Sequence, residues 1–569
     1  MRGPVATSGD TSAARTGGSP RGSDRARSAS RAPKTTMSGR IGLGAVLAIA
    51  GALTATPADA RRDRNLSGDV ARAARLINAA RLDEARAQLD ELARRAPGSP
   101  EVRWLEAQLT FLAGDYAGAL TRLDGLGDDA VDGAVGETRA LITRSRDVTA
   151  GFEHVDSPGG HFTIYYPPGP DVVIAELAGE VLDAAREAIG DDLGWRPTGK
   201  IRVELLARPA DLAKLSTLTE REIETTGTIA LSKYEKLMVV SPRATILGYP
   251  WMDTLAHEYT HLVISHVSHD SVPVWMHEGL ARFEQTRWRL APSPTGVVLS
   301  ASDQSLLSTA LTKRRLISLD AMHPSMAKLP SQEAAALAYA EVYTLIGWLH
   351  GKLGYEGLRQ ILIAQRDGKS AQRAVSEALG KRWLQVERDW QTHLRSLDLG
   401  AGKAAGGHGG KRIHFARGGA ADDNVGLDQV ASAKAKKFAR LGGMLRARGQ
   451  PAAAANEYEK SLAAAGGNEP FVAGKLARTY VELGAFDKAI ALARPLLALD
   501  EHDPTAAVTL GVALAAQGDH AGARAAFEQA LRVSPFDPTV RCGLADTYDH
   551  LGDAAHARRE HAACDRLRS

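Results

Sequence analysis

The sequence predicts an α+β domain, built from a small mixed sheet and helices, set between two all-α repeat arrays. Three observations lead there. A 34-residue repetition runs through the C-terminal third. Apolar segments of strand length cluster between residues 161 and 240. Just beyond them, His257-Glu258-Tyr259-Thr260-His261 puts two histidines one helical turn apart. The expected boundaries are 1–60 for an unstructured N-terminus with an export signal and 61–150 for a helical array. The α+β domain follows at 151–398, a Gly-rich linker at 399–430 and the repeats at 431–569.

A chain of 569 residues is long enough for three or four domains. Its 44% apolar and 24% charged residues are those of a soluble globular protein. The net charge is only +3, and no dense basic block lies in the folded parts, which argues against nucleic acid as a partner. The basic excess is N-terminal: eight Lys or Arg from Arg2 to Arg40 face only Asp10 and Asp24. That stretch is rich in Ser, Gly and Ala and reads as unstructured. The uncharged run Ile41–Ala55 follows Arg40 and ends in Ala58-Asp59-Ala60. Positive flank, apolar core and A-x-A site are the order of a secretory signal, with cleavage expected after Ala60 and Met37 as an alternative start. The run is too short to span a bilayer, so the expectation is an exported chain, periplasmic or extracellular in a bacterium, with no membrane span in its mature form. Cys542 and Cys564 are the two cysteines. They would pair in an oxidising compartment or remain buried thiols, and the sequence leaves both open.

Along the chain, Asn65 to about Ala150 has helical periodicity. Ala85 and Ala119 are 34 apart, and Leu112-Ala-Gly114-Asp-Tyr116 reads as an inter-helix turn. His161–Tyr166 is a strand candidate closed by Pro167-Pro168. Val172–Ile189 is helical. Lys200–Leu206 alternates as a half-buried strand would, and Thr226–Leu231 and Leu237–Val240 suggest two more. The histidine-bearing helix is expected from about Trp251 to Val267. Gly400–Gly426 is too rich in Gly and Ala to form a core. In the last third, Gly484, Gly518 and Gly552 are spaced by 34, as are Ala489, Ala523 and Ala557, and Pro470, Pro504 and Pro538. This period, with Leu510-Gly511, Gly518, Ala523, Phe527, Ala530 and Pro535 in phase, resembles the tetratricopeptide repeat, a pair of antiparallel helices. About four units are expected, the last incomplete at Ser569, and the segment before Ala150 resembles a weaker pair. Such stacks imply a protein partner.

The central motif carries chemistry. Residues four apart on a helix lie on one face, so His257 and His261 can point two imidazoles at one cation. Glu258 lies about 100° round the helix, where its carboxylate reaches a bound water rather than the metal. Fourteen residues past His261, Trp275-Met276-His277-Glu278-Gly279-Leu280-Ala281 has helical apolar spacing, and Glu278 would project towards the first helix. H-E-x-x-H followed by W-x-x-E-G-L-A resembles the gluzincin metallopeptidases, nearest the peptidase-MA-like group and more distantly the aminopeptidase N type, over residues 155–398. The resemblance implies one Zn²⁺ per chain held by His257, His261 and Glu278, with Glu258 as catalytic base.

Zinc lowers the pKa of bound water towards about 7 and polarises a carbonyl. Glu258 would take the proton from that water as it attacks a peptide carbonyl and pass it to the leaving amine. The resemblance implies a further donor on a later helix, for which Tyr339 is preferred over Tyr343. His277 is expected to face away from the metal, and His266 and His269 to follow the end of the first helix. The strand Leu237–Val240 is expected as an exposed edge on which an extended peptide could pair. The gap between the two zinc helices is shorter than in the aminopeptidase N pattern, which leaves endopeptidase action open. An amidase of cell-wall peptides would use the same site. The reading from another class is a tetratricopeptide protein-binding scaffold around an inactive peptidase-like domain.

Overall fold

The structure, a computed structural model, describes residues 59–289, 296–323, 325–326, 329–400, 413, 415, 427, 430, 432–467 and 469–569, with side chains from Leu66 onward. All belong to one compact unit, Gly39–Ser569. The apolar run 41–55 and most of the Gly-rich stretch 399–430 lie outside the described residues. Among these residues no helix is long and apolar enough to cross a membrane.

Five helices come first: α1 (Asp59–Asn78), α2 (Leu82–Arg95), α3 (Pro100–Leu112), α4 (Tyr116–Leu123) and α5 (Ala134–Val148). Ser99 and Asp115 start α3 and α4 by accepting from the backbone N–H groups of Val102 and Gly118, which satisfies donors that a helix start leaves unpaired. Ala85 and Ala119 are both fully buried in the core of this array.

Next come β1 (Glu153–Asp156), β2 (Phe162–Tyr166), α6 (Val172–Leu193), β3 (Ile201–Leu206), α7 (Pro209–Leu215), α8 (Glu220–Thr226), β4 (Ala230–Lys233) and β5 (Lys236–Val240). The five strands form one mixed sheet in the order β1-β2-β3-β5-β4. β2, β3 and β5 are parallel neighbours, while β1 and β4 run antiparallel at the two edges. Two expectations change here. β3 is covered on both faces rather than one, as a parallel central strand must be. The exposed edge is β4, not Leu237–Val240: β5 lies between β3 and β4, and all five of its residues are buried. Thr226–Ile229 is not strand either, because Thr226 closes α8 and Gly227 takes a left-handed turn, φ +71°.

The helical half of the domain holds α9 (Trp251–Ser268), α10 (Val274–Glu284), α11 (Ala301–Lys313), α12 (Gln332–Arg366, broken at Gly354), α13 (Ala371–Leu379) and α14 (Trp383–Ser396). Eight more helices follow as four pairs: α15 (Ala433–Ala447) with α16 (Pro451–Ala464), α17 (Pro470–Glu482) with α18 (Phe486–Leu499), α19 (Pro504–Ala516) with α20 (His520–Leu531), and α21 (Pro538–Leu551) with α22 (Ala554–Arg568). The last unit therefore has both its helices. The 34-residue spacing has a local cause at each position. Pro470, Pro504 and Pro538 occupy the first helical turn, where a missing N–H costs nothing. Gly511 lets its helix meet the next, because a Cβ there would stand 2.7 Å from the Phe527 ring. Cys542 and Cys564 form a disulfide within the last pair, with Cα atoms 5.0 Å apart.

The last repeats pack onto the α+β domain, and Phe527, Leu531 and Val540 share one apolar cluster with the sheet and with α9. The Trp251 indole N–H donates to the Leu531 carbonyl at 3.0 Å, and its backbone N–H to Arg532 O at 3.2 Å. Arg541, fully buried, pairs with Glu560 and also donates to Val173 O. The first repeats keep a separate core around Tyr458. At the other end, α4 is tied to the sheet by a buried polar cluster. Lys236 Nζ lies 2.9 Å from Glu204 Oε2 and 2.6 Å from the Tyr116 hydroxyl, and Arg202 also pairs with Glu204.

Candidate metal centre

The two histidines stand on α9, whose opposite face is fixed by Leu255, Tyr259, Leu262 and Val263 in the core. One turn before His257, Asp253 accepts from the Trp288 indole, from Arg289 and from His502 of the repeat array. The N-terminal end of α9 is thereby held by two segments distant from it in sequence, 288–289 and His502. α10 follows a short loop through Pro273. Gly279, the residue after Glu278, is what lets α10 lie close to α12: a Cβ there would meet Ile346 Cγ1 at 2.7 Å and the Val342 carbonyl at 3.0 Å. α12 carries Tyr339, so this close approach brings a third helix to the site.

His257 Nε2 and His261 Nε2 are 3.2 Å apart. Glu278 Oε2 lies 3.4 Å from each of them. It is buried and has no hydrogen-bond partner of its own. Among the described residues these three form the one group of metal-ligand type. The triangle suits a zinc ion on a simple count. Zn–N and Zn–O bonds of about 2.0–2.1 Å in a tetrahedron place ligand atoms about 3.3–3.4 Å apart. An orphaned carboxylate oxygen aimed between two imidazole nitrogens fits the same group. Three protein donors rather than four are the number that a catalytic zinc site would have.

Glu258 is nearly fully buried beside this triangle. Burial pushes its pKa up to about 7, opposed by His261 and by a hydrogen bond from the Ser232 backbone, and assisted by the Glu278 charge. Glu278 is also pushed up by burial, but the two imidazoles outweigh this and hold it far below the usual carboxylate range. Tyr339 lies against the Glu278 carboxylate, with its ring 6.4 Å from that of His257. Burial, then the Glu278 and Glu258 charges, raise its hydroxyl well above the ordinary tyrosine value, so it stays a proton donor. Tyr343 points elsewhere and accepts from the Val298 N–H at 3.1 Å.

Three features of the site differ from the sequence expectation or were absent from it. His277 does not face away: its Nδ1 is 3.1 Å from His261 Nδ1, because α10 crosses α9 on that side. Burial, followed by the His261 charge, pushes its pKa down to about 3. His266 lies inside α9, bonded to Glu235 at 2.7 Å and stacked on Trp195, while His269 ends the helix in the left-handed region. The edge strand β4 reaches the Glu258 carboxylate. Val240 N donates to Ile229 O, which fixes the parity of the β4–β5 ladder. By the alternation of antiparallel pairs, Ser232 then turns its N–H and C=O to the free edge, where the N–H meets Glu258. No local spacing in the sequence signals either the His277 or the Ser232 contact.

Comparison with known proteins places this geometry. A Peptidase MA superfamily model matches residues 189–396, and tetratricopeptide repeat models match 67–125, 475–538 and 516–563. No curated protein matches the chain. Similar solved structures include MamA AMB-1, 26% identical over 25% of this chain and 79% of that chain, with a TM-score of 0.22. Another crystal structure of MamA is 16% identical over 26% of this chain and 84% of that chain, also at 0.22. Native yeast LTA4 hydrolase is 11% identical over 73% of this chain and 66% of that chain, at 0.27. Likenesses with TM-scores this low carry no conclusion about fold or function. The two kinds of family match do: residues 189–396 form a Peptidase MA superfamily domain, and tetratricopeptide repeats stand on both sides of it.

Proposed function

We propose that the chain is an exported zinc metallopeptidase that hydrolyses peptide bonds, with Glu258 as general base. The observation that carries this reading is the triangle of His257 Nε2, His261 Nε2 and Glu278 Oε2, with sides of 3.2, 3.4 and 3.4 Å, beside a buried carboxylate. Zinc held by the three would supply a water of lowered pKa and a Lewis acid for the substrate carbonyl. The chain's own residues do the rest. Glu258 takes the proton from the water nucleophile and returns it to the departing amide nitrogen. The Ser232 N–H holds the Glu258 carboxylate in place. The Tyr339 hydroxyl donates to the negative charge that develops on the carbonyl oxygen. The rest of the outer edge of β4, beyond the Ser232 N–H that Glu258 engages, offers an extended peptide a strand to pair with, next to the base. The repeats on either side supply protein-binding surface. The disulfide in the last repeat supports an oxidising, hence exported, location.

The test compares wild type and Glu258→Gln on a diverse peptide library, with and without a chelator, with cleavage read by mass spectrometry. Chelator-sensitive cleavage that the substitution abolishes is expected. Equal cleavage by both proteins would rule the mechanism out. One zinc per chain without turnover of any peptide would instead favour a binding scaffold.

A further inference from the structure

His261 has a second nitrogen, and the structure gives it a partner. If Nε2 faces the ligand triangle, a neutral imidazole keeps its one proton on Nδ1. That Nδ1 lies 3.1 Å from Nδ1 of His277. His277 must then accept, which puts its own proton on Nε2. The Nε2 atom lies 4.0 Å from Oδ1 of Asp270, whose negative charge favours a proton there. Asp270 is fixed in turn. Its N–H donates to Ser265 O at 2.9 Å, and it accepts from Ser265 Oγ at 3.2 Å. His269 and Asp270 both sit in the left-handed region, at φ +50° and +57°. Side chains other than glycine seldom adopt that conformation. This tight turn at the end of α9 is what swings Asp270 back towards the start of α10.

We propose that His277 is a positioning residue for the metal site: it accepts the His261 Nδ1 proton, with Asp270 orienting it from behind, and so keeps His261 Nε2 free to bind zinc. The proposal rests on the zinc reading above and assigns a residue to which that reading gives no role. Partners of ligand histidines set ring tautomer and orientation, and their loss typically lowers metal affinity about 10- to 100-fold.

The experiment measures zinc affinity of the full chain by competition with a chromophoric chelator, needing no substrate. The variants are His277→Phe, His277→Asn and Asp270→Ala, each checked for fold by circular dichroism in the metal-free state. His277→Phe keeps a ring but removes the acceptor, and should weaken zinc binding about 10- to 100-fold. His277→Asn offers an oxygen acceptor near the Nδ1 position and should restore much of the loss, which a purely packing role would not produce. Asp270→Ala, at the half-exposed end of the relay, should weaken binding in the same direction but less. Should His277→Phe fail to fold, Asp270→Ala decides, and unchanged affinity there overturns the proposal. So does a folded His277→Phe that binds zinc as wild type does. A wild-type chain that binds no zinc overturns the metal-site reading itself, a result distinct from binding wild type with indifferent variants.

Discussion

Glu341 sits on α12 two residues beyond Tyr339 and is fully buried. Its Oε1 accepts from the Ile317 N–H at 2.9 Å, while Oε2 has no partner. Burial raises its pKa from 4.5 to about 8, against the lowering effect of that one hydrogen bond. Between these two values the folded protein holds a proton that the unfolded chain has released. The stability linked to this group is therefore fully present below about pH 4.5 and is lost as the pH rises through about 8. Each pH unit in that window costs about 1.4 kcal/mol, so from pH 4.5 to 7 the loss is about 3 kcal/mol as an upper figure. Glu341→Gln keeps an oxygen for Ile317 and removes the titration. Relative to wild type, the variant should gain stability steadily as the pH rises from about 5 to 8, by about 3–4 kcal/mol in all as an upper figure. Urea unfolding of both proteins at half-unit pH intervals, followed by tryptophan fluorescence, reads the difference. A stability difference that stays flat across this range would refute the reasoning, because it would mean that Glu341 ionises in the folded protein as easily as in water.

The disulfide and the buried ion cluster give two more expectations. Replacing both Cys542 and Cys564 with serine opens a loop of 22 residues, which by chain entropy should destabilise the last repeat by about 3 kcal/mol, visible as a lower unfolding midpoint that reducing agent no longer shifts. Glu204→Ala leaves Lys236, 2% exposed, without its carboxylate and should cost about 3–5 kcal/mol, with urea denaturation showing the earlier loss of structure. The double change Glu204→Gln and Lys236→Met should cost clearly less than Glu204→Ala alone, because Lys236 then leaves no unpaired charge and only the more exposed Arg202 loses its partner.

Helical arithmetic explains which features of the site were legible in the sequence. His257 and His261 face one point because a spacing of four on any helix demands it. The small residue after Glu278 hints at a close helix neighbour, and the structure supplies that neighbour as α12. The 34-residue period likewise exposed the repeats, since proline, glycine and alanine recur wherever a helix starts, turns or is closely packed.

Other contacts depend on how elements cross, and no period encodes that. β4 and β5 are both short, and alternation alone does not say which stands at the edge. Only the pairing of β5 with β3 decides it, and it moves the edge from Leu237–Val240 to Ala230–Lys233. His277 precedes Glu278 by one residue, so on a helix the two must point about 100° apart. That seemed to turn His277 from the metal, yet it points at the flank of α9, where the second nitrogen of His261 lies. The same geometry that sends one α10 side chain towards the Nε2 atoms of His257 and His261 thus sends its neighbour to the outer face of His261. A third helix held near by Gly279 also brings Tyr339 beside the Glu278 carboxylate. Two residues in sequence thereby reach both nitrogens of one histidine, an arrangement set by the crossing of α9 and α10 rather than by any motif.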